Sequence, residues 1–91
     1  ESPSLVIMDS LIKMGANIQY SDPYLPIAPK TRKYDFNLKS IELKPKSIKS
    51  FDLITLATDH DDFDYKLIEE VSNLIVDTRG RFNNSSKVVK A

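Results

Sequence analysis

Leu53-Ile54-Thr55-Leu56-Ala57-Thr58, running straight into Asp59-His60, is the stretch whose reading decides the fold. It is nearly continuous in apolar or β-branched residues. A strand with one wet face alternates, whereas a strand covered on both faces does not, so this run points to a parallel sheet. Leu74-Ile75-Val76 repeats the signature and stops at Asp77. Between the two, Tyr65 to Asn73 carries Leu67, Ile68 and Val71 at helical spacing, which predicts a crossover helix.

Working outward, Pro45 starts a short helix through Ser50, and Ser40 to Leu43 alternates as a short edge strand does. Tyr24 to Lys39 holds Pro26, Pro29 and several charges and reads as an irregular connection. Asn17 to Tyr20 suits a short strand, closed by the turn residues Asp22-Pro23. Ahead of it, Leu5, Met8, Leu11 and Ile12 recur at spacings of three and four, predicting a helix from Pro3 to Met14. Ser2 is its cap, Pro3 its first residue and Gly15 its stop. Beyond the second buried strand, Asn83 to Ser86 is polar, and residues 83–91 read as a loosely held tail. The whole is a single α/β domain over residues 1–91, three-layered, with a mainly parallel sheet. Because the chain opens on a helix cap, the strand that normally feeds such a helix is expected to be missing.

Composition narrows the function. Thirteen Lys plus Arg balance thirteen Asp plus Glu, so the net charge is zero and gives no electrostatic ground for a nucleic-acid or membrane-surface partner. The basic cluster from Lys30 to Lys49 and the acidic one from Asp52 to Glu70 read as solvated faces. There is no cysteine, hence no disulfide, thiolate metal site or thiol nucleophile. No apolar run nears the roughly 20 residues that span a bilayer, and no signal peptide opens the chain. A cytoplasmic setting is the default.

In open parallel sheets, ligands bind beyond the carboxyl ends of the strands. That rule selects Asp22-Pro23, Thr58-Asp59-His60 and Asp77-Thr78-Arg79-Gly80, with the N-terminus of the first helix, at Ser2, on the same rim. Arg79 has the planar fork that suits a phosphate or carboxylate; the competing role is an ion pair with Asp77 or another carboxylate. His60, the only histidine, either orients a ligand or packs and caps. Asp22 reads as a turn former, since no Gly-x-Gly-x-x-Gly precedes it. Asp59, Asp61, Asp62 and Asp64 fail as a calcium loop. Phe63 takes a ligand position and Asp64 the required glycine, so these carboxylates serve the helix that follows.

Taken in order, five segments resemble the C-terminal, UDP-binding domain of the UDP-glucose/GDP-mannose dehydrogenase family. They are Glu1-Ser2-Pro3, Gly15-Ala16-Asn17-Ile18 leading to Asp22-Pro23, Ser50-Phe51-Asp52, Thr58-Asp59-His60-Asp61-Asp62-Phe63, and Asp77-Thr78-Arg79. Thr-Asp-His, where UDP-glucose enzymes commonly carry Thr-Glu-Trp, is similar to the UDP-N-acetylhexosamine branch. The resemblance implies a Rossmann-like domain that binds a UDP-sugar in an enzyme oxidising the sugar C6 alcohol to a carboxylate for surface polysaccharide synthesis. It implies NAD, bound by a separate N-terminal domain, and a cysteine that carries the covalent intermediates, also outside this sequence. It further implies a homo-oligomeric parent. Substrate-binding roles fall to Arg79, Ser2 and His60; no residue is assigned a catalytic or metal-binding role, and the chain alone is expected to be inactive. Exposed sheet edges lead to an expectation of self-association.

A non-enzymatic, flavodoxin-like module such as a receiver domain is the competing class. It requires a Lys after its last strand, where this chain has Arg79 and Arg81.

Overall fold

The computed structural model describes residues 3–91. Among these, the order is α1 (Pro3–Lys13), α2 (Pro45–Ser50), β1 (Ile54–Leu56), α3 (Tyr65–Val71), β2 (Ile75–Asp77) and β3 (Val88–Lys90). The chain has two compact units, Glu1–Glu42 and Leu43–Ala91.

In the first unit, α1 buries Leu5 and ends one residue short of expectation. Its stop is the one that Gly15 predicts. Ala16 N–H donates to the Leu11 carbonyl at 3.0 Å and Gly15 N–H to that of Ile12 at 2.9 Å, with Gly15 at φ 94°. The proposed cap Ser2 lies outside the described residues. The two short strands expected here shrink to one bridge, in which Tyr20 pairs in parallel with Ser40; a second bridge, Ile27 antiparallel with Lys39, forms within the stretch read as an irregular connection. Side chains complete what so few ladder bonds leave open. Asp22 N–H donates to Ser40 Oγ at 2.9 Å, and Ser40 Oγ donates to the Asp22 carbonyl at 3.2 Å.

The second unit holds the sheet, parallel throughout, in the order β1-β2-β3. Ile54 aligns with Ile75 and Leu56 with Asp77, and Ile75 in turn aligns with Val88. The helices are punctuated locally. Pro45 opens α2 after Lys44, whose N–H donates to Ser47 Oγ at 3.0 Å. Asp64 caps α3 by accepting from Leu67 N–H at 3.1 Å. Asn73 Nδ2 donates to the carbonyls of Lys49 and Phe51, fixing the turn after α3 to the end of α2. Ile48, Leu56, Ile68, Ile75 and Phe82 form the core, with Ile48 and Ile75 fully buried. This is the α/β class with a parallel sheet that the two apolar runs implied.

The end of the chain departs from expectation. Val88–Lys90, within the stretch read as a loose tail, is the strand β3. It pairs along β2, with Ile75 N–H donating to the Lys87 carbonyl at 2.8 Å and Ala91 N–H to that of Asp77 at 3.0 Å. Lys87 Nζ adds hydrogen bonds to the Glu69 and Glu70 carbonyls in the last turn of α3, where a cation also meets the negative end of the helix. A short polar-flanked segment is thus ordered by bonds to distant residues.

Candidate ligand-binding rim

β1 and β2 run parallel and stop level with one another, so the loops that follow them leave the sheet at one edge. Thr78 joins the two loops. Its N–H and its Oγ both donate to the Leu56 carbonyl, at 3.2 and 2.6 Å. Arg79 and His60 therefore lie on loops of the same edge, the arrangement the sheet rule requires.

Asp77 organises the loop after β2. It is fully buried, which burdens a charge, yet its carboxylate is saturated with donors. Oδ1 accepts from Arg79 N–H at 2.9 Å; Oδ2 accepts from Phe82 N–H at 2.8 Å and from Lys90 Nζ at 3.0 Å. Burial pushes its pKa up, but the donors from Phe82, Arg79, Lys90 and Arg81 outweigh that and hold it well below the ordinary value of 3.8.

Asp77 takes the backbone N–H of Arg79, and the cation that pairs with Asp77 is Lys90. Arg79 is exposed, and among the described residues no ion pair holds its guanidinium. Gly80 follows at φ 71°, a left-handed conformation that turns the chain beside it.

Arg81 instead binds the neighbouring loop. Its Nη1 lies 3.4 Å from Asp59 Oδ1 and 3.8 Å from Asp61 Oδ1, and its guanidinium sits over the Tyr65 ring at 4.2 Å. Tyr65 completes the joint. Its hydroxyl donates to Asp59 Oδ1 at 2.7 Å and accepts from His60 N–H at 3.0 Å. Burial, and then the hydrogen bond to Asp59, raise the Tyr65 pKa. The His60 ring is half-buried and meets Phe63 edge-on at 5.4 Å.

Such a rim can bind an anion and orient it. It offers a solvent-facing guanidinium on a loop whose backbone is held by a buried carboxylate, next to a second loop braced by an ion pair. Among the described residues no three acidic or histidine side chains gather as metal ligands would. Asp22 belongs to the first unit, where Oδ1 accepts from Tyr24 N–H at 2.8 Å in the turn expected of it. Arg81, Tyr65 and Lys90 escaped sequence reasoning. Arg81 had a legible signal in standing two residues beyond Arg79; Lys90 had none.

The model of the UDP-glucose/GDP-mannose dehydrogenase family, UDP binding domain, matches residues 1–84. Among curated proteins and among solved structures, no match was found.

Proposed function

Because the chain belongs to the UDP-glucose/GDP-mannose dehydrogenase family, we propose that it is the UDP-sugar-binding portion of a nucleotide-sugar 6-dehydrogenase. The observation that supports this most is the Arg79 guanidinium, which Asp77 leaves unclaimed beside the rim. A fork of five N–H donors suits a diphosphate, whose charge it meets with paired hydrogen bonds. In this reading Arg79 holds the diphosphate and His60 borders the sugar nucleotide.

The reaction we assign is oxidation of the sugar C6 alcohol to a carboxylate. The redox group of that chemistry is NAD, which accepts hydride. The residues of this chain do not fit it. Gly15 closes α1 and Gly80 sits in the loop after β2, so no glycine turn leads from a strand into a helix N-terminus. The part of this chain is to bind and orient, with NAD and a thiol supplied by other regions of a cytoplasmic, homo-oligomeric enzyme. Thr58-Asp59-His60 favours UDP-N-acetylhexosamine as substrate and the uronate as product, in the service of surface polysaccharide synthesis. The outer edges of β1 and β3 are where we expect the isolated chain to self-associate.

Isothermal titration of the chain with UDP tests the binding. Saturable binding that Arg79→Ala weakens about tenfold or more is expected for a lost charged contact. No binding, or equal binding by the variant, overturns the assignment. For the enzyme containing this domain, NADH formation with UDP-N-acetylglucosamine, UDP-N-acetylmannosamine, UDP-N-acetylgalactosamine and UDP-glucose decides the substrate.

A further inference from the structure

Lys90 stands at the end of β3, beyond residues 1–84 that match the family. Its Nζ donates to Asp77 Oδ2 at 3.0 Å and to the Phe82 carbonyl. The same Asp77 carboxylate receives Arg79 N–H on one oxygen and Phe82 N–H on the other. One ammonium thus touches both the carboxylate that shapes the loop from 77 to 82 and the carbonyl at the far end of that loop. Arg79 lies between them.

We propose that Lys90 is a positioning residue for the anion-binding rim, acting through Asp77 on the loop that presents Arg79. The proposal rests on the UDP-binding reading above. Physically, the ammonium neutralises a fully buried carboxylate and closes the loop at both ends. Without it, Asp77 keeps its backbone donors but loses its counter-charge, and the carboxylate draws in water. The loop then samples conformations in which Arg79 is displaced, and ligand affinity falls because the competent conformer is only part of the population. Lys87 is a natural control. It also secures β3, but to the Glu69 and Glu70 carbonyls of α3 and away from the loop.

The test compares the chain with its Lys90→Met, Lys90→Arg and Lys87→Met variants, using UDP titration and amide hydrogen exchange. Lys90→Met is expected to weaken UDP about tenfold and to speed exchange of the Arg79 and Phe82 amides by a similar factor. Lys90→Arg, which keeps charge and donors, should recover most of the affinity. Lys87→Met should lower the melting temperature while leaving UDP affinity within about twofold. If UDP binds, depends on Arg79 and is indifferent to Lys90→Met, the proposal fails and the binding assignment survives. If Lys87→Met weakens UDP as much as Lys90→Met, Lys90 contributes only general stability and the proposal also fails. If the unsubstituted chain binds no UDP, both fall together.

Discussion

Arg81 lies over the ring of Tyr65, 4.2 Å from its centroid, while the Tyr65 hydroxyl and Arg81 Nη1 both reach Asp59 Oδ1, at 2.7 and 3.4 Å. This three-residue joint spans the loop after β1, the start of α3 and the loop after β2. It braces the rim on which Arg79 stands. The ion pair alone is half in water and contributes little, so the aromatic face and the phenol carry most of the joint.

Tyr65→Phe should therefore cost about 1 kcal/mol, since it removes only the hydroxyl bridging Asp59 and His60 N–H. Tyr65→Ala also deletes the edge-on ring contacts with Phe63 and Phe82 and the platform under Arg81, and should cost about 3 kcal/mol. Urea denaturation of the two variants measures both. A Phe variant as damaged as the Ala variant would show that the hydroxyl, not the ring, holds the loops.

Asp77 makes the fold acid-sensitive. Its folded pKa lies below the ordinary 3.8, so its contribution to stability is complete well above that value and disappears as pH falls through and below it. Thermal melts from pH 6 down to about pH 2 should show a drop in stability that Asp77→Asn flattens. At neutral pH the Asn variant should lose about 2 kcal/mol, because an amide NH2 cannot accept in place of one of the two carboxylate oxygens and leaves buried donors unpaired. An Asn variant with an acid response unchanged from the parent would place the sensitivity elsewhere.

Ile75 is fully buried at the centre of the sheet and belongs to the core with Ile48, Leu56, Ile68 and Phe82. Ile75→Val should cost about 1 kcal/mol and Ile75→Ala about 4, the second through an unfilled cavity. Equilibrium unfolding followed by circular dichroism reads the ratio. Near-equal losses would mean that the neighbours collapse into the space.

Gly80 has open space where a Cβ would stand, so its substitution tests backbone strain by itself. At φ 71°, Gly80→Ala should cost about 1 kcal/mol and Gly80→Asn less, since Asn tolerates the left-handed region. Comparison of their melting temperatures separates the cases. An Ala variant more stable than the parent would mean that the turn relaxes to another conformation.

Much of the fold was legible because the relevant forces are local. The apolar runs around Leu53 and Leu74 located β1 and β2, Pro45 and Asp64 marked helix starts, and Gly15 marked a stop. Asn17–Tyr20 and Ser40–Leu43 had the residue pattern of strands, yet only single bridges form. The pattern describes a preference, whereas ladder length depends on how far two segments run side by side. At the rim, the sequence pointed to the loops after the strands and to Arg79, but offered Asp77, two residues away, or another carboxylate as its ion partner.

What the sequence by itself determined is the α/β class, the helix punctuation and the two loops that form the rim, since period, capping and turn chemistry act over a few residues. Tertiary structure alone decided that Val88–Lys90 is a strand and that Lys90, not Arg79, neutralises Asp77. It also decided that Arg81 reaches back to Asp59. The physical reason is that a charge is assigned to whichever partner the folded chain brings within hydrogen-bond reach. For Asp77 that partner arrives from thirteen residues away, along a strand whose two valines favour an extended chain but do not say which strand it pairs with.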